Sequence, residues 1–331
     1  MINDAVRYWI KDELGTENFT ISALSGGANN RGYKIVSHDA SWFLKSFSPN
    51  HSHSAHKLAN EFGFSQYLWQ NAVTSVPEPI AYNPQAYVSL FSFIHGEPIA
   101  EAKPDSVKSA LQFLERINAI PQSREHLNIA SESPDSLYGF YSIIEKRLAR
   151  FQPQQDNQAL NTLLLQIQTR ANKLLCRLPA DAKNKQTRKV LSPSDFGFHN
   201  ALQTNQGLVF FDFEYAGIDT SWKLLCDFFS QPAVPVDMTS LDVFFASRLF
   251  EHVPNQKDTF LTILELTQLK WCLIMLNEFL GDVQSRRQFS WNRNCLKPSE
   301  LEEIKAMQLI KSQKYFTSIA SNIESAASLC D

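Results

Sequence analysis

Cysteine is scarce in this chain, and its spacing is not that of a zinc site or a disulfide framework. Five cysteines occur among 331 residues, at positions 176, 226, 272, 295 and 330, and none forms a CxxC pair. Zinc sites are typically recognised by closely spaced cysteines, and disulfide frameworks by an even number of cysteines. The sequence therefore predicts reduced thiols and argues against a zinc-binding or disulfide-rich protein.

Long apolar runs and an excess of one charge are also missing. The most apolar stretch, 260–280, is interrupted by Glu265, Gln268 and Lys270, whereas a membrane span needs about 18 or more apolar residues in succession. The first residues lack the apolar core of a signal peptide, and 31 basic residues nearly balance 34 acidic ones. We therefore expect a cytoplasmic protein that binds neither membrane nor nucleic acid. Its oligomeric state is left open.

Glycine is rare as well, but it is concentrated at one place. Three of the eleven glycines fall within seven residues, in the segment 24–35, which has a strand-turn-strand pattern. Small residues in such a turn let backbone N–H groups approach phosphate oxygens closely. An ordinary hairpin turn is the alternative, because a short glycine cluster is a weak motif by itself. The candidate phosphate-binding residues here are Gly26, Gly27, Asn29 and Asn30.

The most specific group of polar residues begins at Asp195. Asn200 follows five positions later, and Asp212 follows after twelve more, at the end of an apolar run. Turn residues between two apolar segments predict a β-hairpin centred on Gln206. Antiparallel pairing would then place the Cα atoms of Asn200 and Asp212 about 5 Å apart. One metal ion could contact both side chains.

Oxygen ligands of this kind are typical of a magnesium site. Mg²⁺ typically uses one or two protein groups together with phosphate oxygens and water. Asn200 and Asp212 supply such a pair, and Asp195 is left to accept a proton from an attacking hydroxyl or to orient it. Each residue alone is more typical of a turn or a strand end. The three together favour phosphoryl transfer.

Two segments of this region carry a family resemblance: residues 194–200, SDFGFHN, and residues 209–217, VFFDFEYAG. They resemble the signature segments of the aminoglycoside phosphotransferase and choline kinase-like family. The resemblance implies an α+β, protein-kinase-like fold of two lobes, a small β-rich N-lobe at 1–95 and a larger, mainly helical C-lobe at 96–331. It also implies ATP and Mg²⁺ as cofactors, Asp195 as the catalytic residue, and Asn200 and Asp212 as metal ligands.

Two departures from the family pattern concern the catalytic loop. Pro193-Ser194 stands where the family usually has His-Gly before the catalytic aspartate. The Asp-Leu-Ala that usually follows the second segment is delayed to Asp227-Phe228-Phe229. No side chain that would contact metal or phosphate is lost, so the departures bear on how the loop is positioned.

The start of the chain follows the order of elements in the same family. Lys45 lies in an apolar strand and Glu61 in a predicted helix. Taken singly, each is more typical of an exposed charge. After a glycine turn, the resemblance implies that Lys45 holds the α- and β-phosphates and that Glu61 holds Lys45. It also implies that adenine binds the backbone of the hinge strand, at Phe91 and Phe93.

Apolar periodicity predicts that the rest of the chain is mainly helical. Helices are expected at about 3–14, 55–70, 134–150, 156–178, 237–253, 258–281 and 298–324. The segment 281–297 matches no part of the family pattern and contains four basic residues and one acidic residue.

The basic segment bears on the acceptor. It is either a solvated connection between helices or a cover over the acceptor cleft. In the second case Arg286 and Arg287 would bind a carboxylate or phosphate, and Trp291 would stack on a sugar ring. We therefore expect an ATP-dependent kinase of a small, neutral or anionic, sugar-like metabolite.

Three other functions are weighed against this one. Pro193-Ser194 suggests a nucleotide-binding pseudokinase or regulatory module, and the family resemblance includes aminoglycoside-type and choline-type kinases. A protein kinase is disfavoured, because the chain has no HRD or APE segment and no DFG at the candidate metal ligand Asp212. Its Asp212 is followed instead by Phe213-Glu214.

Overall fold

The structure is a computed structural model that describes residues 2–24, 30–38, 40–50, 53–151, 157–184, 187–281, 283, 289 and 298–330. Six of the predicted site residues lie outside the described residues: Gly26, Gly27, Asn29, Arg286, Arg287 and Trp291. Their roles stay predictions.

The described residues fall into two compact units. The first takes in the described parts of Met1–Pro98, Ala201–Tyr215 and Gln284–Leu296, and the second those of Ile99–Asn200, Ala216–Val283 and Lys297–Asp331. The division into domains at residues 95 and 96 stays a prediction, because compactness alone does not define a segment that folds by itself.

Helix α1, Asp4–Leu14, opens the first unit. Its N-cap is Asn3, whose side chain accepts a hydrogen bond from the N–H of Val6, and it ends at Gly15 with φ 63°. An Asn N-cap and a left-handed glycine after the last turn are common helix boundaries. Val6 and Ile10, one turn apart, are its buried residues.

An antiparallel five-stranded sheet follows, in the order β1-β2-β3-β5-β4. Its strands are β1 Thr20–Ala23, β2 Arg31–Ser37, β3 Ala40–Ser46, β4 Pro79–Asn83 and β5 Val88–Ser92. Alternate residues face a core that contains the fully buried Ile35, Leu44 and Leu90. Helix α2, Ser54–Gln70, contacts β4 and β5. Lys45 pairs with Gly32 on one side and Ser89 on the other, so it lies on a central strand.

A second sheet of the first unit contains the predicted hairpin. It consists of β6 Glu97–Pro98, β8 Ala201–Thr204 and β9 Gly207–Phe210, numbered in chain order. Ala201 pairs with Phe210 and Thr204 with Gly207, so the turn is centred between positions 205 and 206. The predicted pairing of Asn200 with Asp212 is therefore wrong by one residue, because this register places position 200 opposite position 211.

The side chain of Thr204 explains the shorter turn. Its Oγ1 accepts a hydrogen bond from the N–H of Gln206 at 3.1 Å and donates to the carbonyl oxygen of Gly207 at 2.8 Å. Gly207 adopts φ 115°, which glycine reaches without steric cost. The chain therefore reverses within a two-residue turn.

The second unit is built around one buried helix, α8, Lys257–Met275. The other helices are α3 Pro104–Asn118, α4 Leu137–Leu148, α5 Gln158–Leu175, α6 Ser221–Ser230, α7 Leu241–Phe245 and α9 Pro298–Ala327. Helix α8 contacts α4, α5, α6 and α9. The segment Pro254–Phe279 is long and apolar enough to cross a membrane by length and composition, but 78% of its apolar window is buried within the structure. It is the core helix of this unit.

The helix predicted at 237–253 is wrong. Only α7 forms there, preceded by a short 3₁₀ turn at Met238–Ser240. The carboxylate of Asp237 accepts hydrogen bonds from both the N–H and the hydroxyl of Thr239, and the hydroxyl of Ser247 donates to Glu115. These side-chain bonds compete with a continuous helix.

A two-stranded sheet of the second unit leads into the loop that contains Asp195. Strand β7, Lys189–Ser192, pairs antiparallel with β10, Gly217–Thr220. A Cβ atom at Gly217 would lie 2.2 Å from the carbonyl oxygen of Asn128, so the chain needs glycine at this crossing. The loop that contains Asp195 follows β7 directly, and α6 follows β10.

Candidate active site

Lys45 lies among three carboxylates of the first unit. Its Nζ is 2.8 Å from Oε2 of Glu61, 2.6 Å from Oδ1 of Asp212 and 3.8 Å from Oε2 of Glu214. Lys45 is 6% exposed and Glu61 5%. The structure thus brings together three residues that the sequence assigned to phosphate and metal binding, Lys45, Glu61 and Asp212.

Burial and charge act in opposite directions on these groups. Burial alone would lower the pKa of Lys45, but the charges of Asp212, Glu61 and Glu214 outweigh it and raise the pKa. Burial raises the pKa of Glu61 to about 7, against the attraction of Lys45. The carboxyl of Glu214 is buried too, yet Lys45 and Lys57 lower its pKa to about 2. Lys45 and Glu214 are therefore charged at neutral pH.

Glu214 and Lys57 form a second cluster that sequence analysis did not single out. Oε1 of Glu214 accepts from Nζ of Lys57 at 2.8 Å, and Oε2 accepts from Nδ2 of Asn30 at 2.7 Å. Lys57 also donates to the hydroxyl of Tyr215 at 2.5 Å. Asn30, predicted to bind phosphate, thus bonds to Glu214. A signal was present, since Lys57 precedes Glu61 by one helical turn and therefore shares its face of α2.

Asp212 occupies a strained but accessible position. Its φ is 68°, in the left-handed region where aspartate is among the more tolerated residues. Its side chain is 37% exposed. The chain therefore leaves β9 with a sharp change of direction that keeps this carboxylate accessible to a ligand.

The second unit holds the other two predicted residues, Asp195 and Asn200. Nδ2 of Asn200 donates to the backbone carbonyl oxygen of Asp195 at 3.0 Å. The carboxylate of Asp195 lies 3.3 Å from Nε2 of His199, and its side chain is 35% exposed. The structure therefore joins these two residues in one loop and leaves the Asp195 carboxylate accessible.

Two phenylalanines anchor this loop. The ring of Phe196 stacks on Phe113 and on Phe228 at centroid distances of 5.8 and 5.3 Å, and Phe198 meets Phe228 edge-on at 5.6 Å. Both are buried. Because the buried rings alternate with Asp195 and His199, these polar residues are held at the accessible side of the loop.

Comparison with known proteins identifies the family. Residues 20–228 match the model of the phosphotransferase enzyme family. The chain belongs to this family. The match includes Lys45 and Glu61, the loop at Asp195, and Asp212.

Solved structures agree on the fold. Spectinomycin phosphotransferase APH(9)-Ia, in complex with ADP and spectinomycin, is 15% identical, with a TM-score of 0.59 over 93% of this chain and 98% of that one. The streptomycin-ATP-APH(2")-IIa ternary complex gives 12% identity and a TM-score of 0.59 over 96% and 99%. Choline kinase from Cryptosporidium parvum Iowa II gives 13% and 0.53 over 99% of both chains. No curated protein matches significantly in sequence.

The predicted family and the α+β, protein-kinase-like fold are confirmed by these comparisons. The prediction that this family member is a small-molecule kinase is confirmed at the level of the phosphotransferase family. The individual site residues are not compared in these matches, so their roles stay predictions.

Each of the two candidate magnesium ligands presents an oxygen donor of the kind that the ion prefers. Because its amide nitrogen is bound to Asp195, Asn200 presents its carbonyl oxygen as an acceptor. Asp212 contributes an accessible carboxylate. Among the described residues, no group of three or more His, Cys, Asp or Glu side chains could hold a metal, and Mg²⁺ needs only one or two protein ligands when phosphate oxygens complete its shell.

The hinge strand offers fewer free backbone donors than the sequence suggested. The N–H of Ser92 donates to the carbonyl oxygen of Glu78 at 2.8 Å, and that of Phe93 to Ser41 at 3.1 Å. Phe91 is 3% exposed. Adenine contacts at Phe91 and Phe93 stay a prediction.

Proposed function

We propose that this kinase transfers the γ-phosphate of ATP to a hydroxyl group of a small, neutral or anionic, sugar-like metabolite. The observation that carries the proposal is the position of Lys45, whose Nζ lies 2.8 Å from Glu61 and 2.6 Å from Asp212. A buried ammonium between a helix carboxylate and an accessible carboxylate suits a site for nucleotide phosphates and their metal ion.

Each residue has a distinct role in this proposal. Lys45 binds phosphate oxygens, and Glu61 fixes the position of its ammonium. Asn200 and Asp212 hold Mg²⁺, which neutralises charge on the phosphates when bound. Asp195 orients the acceptor hydroxyl and accepts its proton, which is the role that its accessible carboxylate supports.

Nucleotide binding has independent support. Two neighbours with the same fold are described as complexes with ADP and with ATP. In this chain, the cation of Lys45 and the candidate metal ligand Asp212 lie within one compact unit. We infer that ATP and Mg²⁺ are its cofactors.

The acceptor is inferred from charge. An acceptor with several ammonium groups needs carboxylates or aromatic rings to bind it, whereas the segment 281–297 has four basic residues and one acidic residue. Arg286 and Arg287 would bind a carboxylate or phosphate of the acceptor, and Trp291 would stack on its ring. The alternative is an aminoglycoside or choline kinase, because neighbours of the same fold are complexes with spectinomycin or streptomycin, or are choline kinase.

The proposal is tested with an acceptor screen. Purified protein and Mg-ATP are incubated with panels of sugars, sugar acids, sugar phosphates, aminoglycosides and choline, and products 80 Da heavier are sought by mass spectrometry. The Asp195→Asn variant is the control for contaminating kinases. Phosphorylation of a sugar-like acceptor supports the proposal; efficient phosphorylation of kanamycin or choline alone favours the alternative. A protein that binds nucleotide without transfer to any acceptor would be a pseudokinase.

A further inference from the structure

Ser194, next to the candidate catalytic residue, has an unusual conformation. It adopts φ 67° and is 7% exposed. A left-handed backbone is unstrained for glycine and strained for serine. The family pattern has glycine at this position, so the chain retains a strained serine where a relaxed residue would fit. Serine differs from glycine only in its side chain, so any advantage of serine at position 194 lies in its hydroxymethyl group.

The hydroxyl of Ser194 bonds to a buried lysine. Nζ of Lys223 donates to Oγ of Ser194 at 3.0 Å. The same Nζ donates to Oδ2 of Asp219 at 2.7 Å and lies 3.5 Å from Oδ2 of Asp227. An ammonium has three N–H donors, and here each faces one oxygen. Without the hydroxyl, one donor of a buried cation would lose its partner, which is costly in a desolvated site.

The lysine belongs to a network with balanced charge. Asp227 also accepts from Nζ of Lys270, and from Nε1 of Trp271 at 3.2 Å. Lys223 is 3% exposed, Asp219 0%, Asp227 5% and Lys270 7%. Two carboxylates and two ammonium groups are thus enclosed in the second unit. Such a network has a defined geometry, because moving one member leaves another buried charge unpaired.

Helix α6 is a rigid support for this network. All ten of its residues are buried, and it follows strand β10, which pairs with the strand leading into Ser194. Lys223 and Asp227 are four residues apart on α6 and therefore face the same side, and Asp219 reaches Lys223 from the preceding strand β10. The ammonium that contacts Ser194 thus has little freedom to move.

We propose that Lys223 is a positioning residue that, through the hydroxyl of Ser194, holds the loop of Asp195 in the orientation needed for transfer. This inference rests on the role proposed for Asp195. It assigns a function to the departure Pro193-Ser194: the loop is held from α6 by a charged hydrogen bond. A merely structural role for the network is the alternative, and it predicts lower stability without a selective loss of turnover.

Two substitutions of Ser194 separate the hydroxyl from the backbone. Ser194→Gly removes the hydroxyl and relieves the left-handed strain, whereas Ser194→Ala removes the hydroxyl and keeps the strain. Both should reduce kcat by a similar factor, about 10- to 100-fold, because small misplacement of a reacting group has effects of this size. The KM for ATP should stay within about twofold, since Ser194 makes no nucleotide contact in this scheme. Ser194→Gly should be at least as stable as Ser194→Ala.

A double-mutant cycle tests whether Ser194 acts through Lys223. Lys223→Met combined with Asp219→Asn removes the ammonium without leaving Asp219 charged and unpaired. In this background, adding Ser194→Gly should cause no further loss of kcat. The matched control is Ser247→Ala, which removes another buried hydroxyl, one that donates to Glu115 at 2.7 Å. This control should lower the melting temperature and leave kcat unchanged.

Turnover is measured as Mg-ATP hydrolysis with water as the acceptor and with any acceptor found in the screen. Hydrogen exchange of the peptide 193–200 is followed by mass spectrometry in parallel and needs no activity. Faster exchange of this peptide in the Ser194 and Lys223 variants, but not in Ser247→Ala, supports the positioning role. A parent protein without turnover would refute only the proposed function, and the exchange measurement would still test the positioning role. Parent-like kcat and parent-like exchange in Ser194→Gly and Ser194→Ala, or additive losses in the cycle, would overturn the inference.

Discussion

Lys45 donates from Nζ to Oδ1 of Asp212 across 2.6 Å. The two residues are 167 positions apart in the chain, and the bond joins strand β3 to the turn after β9. A metal ion bound to Asp212 would compete with Lys45 for the same carboxylate. Under the proposed function, Asp212 would hold the metal ion and Lys45 would bind phosphate oxygens, so nucleotide binding would exchange this ion pair for contacts with the ligand.

Lys45→Ala and Asp212→Ala should each weaken Mg-ATP binding. Lys45→Ala loses phosphate contacts, and Asp212→Ala loses a metal ligand. Isothermal titration calorimetry with Mg-ATP measures both affinities. The model of the phosphate site is wrong if both variants bind Mg-ATP as tightly as the parent.

Folding must be measured separately for Lys45→Ala. Removing the buried ammonium leaves Glu61 without its ion-pair partner and takes away one of the two lysines that stabilise Glu214, and breaking a buried ion pair typically costs about 3–5 kcal/mol. The double variant Lys45→Met with Glu61→Gln is the matched control, because it removes the lysine together with one of its carboxylates. Urea unfolding should find the double variant more stable than Lys45→Ala, and its loss of Mg-ATP affinity then reports phosphate contacts alone.

Asp195→Asn should nearly abolish transfer while leaving nucleotide affinity almost intact. The amide has the shape of the carboxylate but cannot accept the proton, and general-base or positioning effects are typically worth about 10²–10⁴ in rate. The hydrogen bond from the Asn200 side-chain amide to the backbone carbonyl oxygen of residue 195 is retained. Steady-state kinetics and Mg-ATP titration measure the two effects. An Asn variant that keeps more than about half of the parent turnover contradicts the assignment, because such a change lies far below that range.

Much of the first unit could be predicted because its signals are local. Helix α1, predicted at about 3–14, forms at Asp4–Leu14. The ion pair of Lys45 and Glu61 was implied by the family resemblance, in which a glycine turn, a strand lysine and a helix glutamate follow one another. Lys45 on β3 and Glu61 on α2 lie 2.8 Å apart, as the family pattern requires.

Other contacts could not be predicted because their partners are far apart in sequence. Glu214 meets Lys57 across 157 positions, and Lys223 meets Ser194 across 29. Nothing local indicates that such charges will be buried. The predicted hairpin forms, but its centre was misplaced by half a residue. The hydroxyl of Thr204 bonds within the turn, and apolar periodicity does not report this bond.

Arg286→Ala and Arg287→Ala should raise the KM for an anionic acceptor and leave that for ATP unchanged. Each guanidinium can bind a carboxylate or phosphate in a bidentate way, so each loss should cost about tenfold in acceptor KM. Lys314→Ala, which removes an exposed positive charge from α9, is the control for long-range charge effects. Equal kinetics of all three variants would contradict the role of the basic segment.

Glu214 should make the stability of the protein depend on acid pH. Its pKa is lowered from 4.5 to about 2 in the folded state by Lys45 and Lys57, against the effect of burial. A lowered pKa means that the unfolded chain binds the proton more tightly. The stabilisation is therefore present above pH 4.5 and is lost as the pH falls toward 2, and a shift of this size corresponds to about 3 kcal/mol.

The matched pair of variants is Glu214→Gln and Glu61→Gln. Burial raises the pKa of Glu61 to about 7, so its effect has the opposite sign: stability is lost as the pH rises from 4.5 to 7. Urea unfolding of both variants and the parent between pH 3 and 8 measures the two slopes. Glu214→Gln should have a lower free energy of unfolding than the parent. Between pH 5 and pH 3 this difference should shrink by about half of the 3 kcal/mol. Relative to the parent, Glu61→Gln should instead gain stability as the pH rises to 7. If stability changes with pH equally in the two variants, then burial and the lysines do not shift the pKa values of Glu61 and Glu214 in opposite directions as the structure indicates.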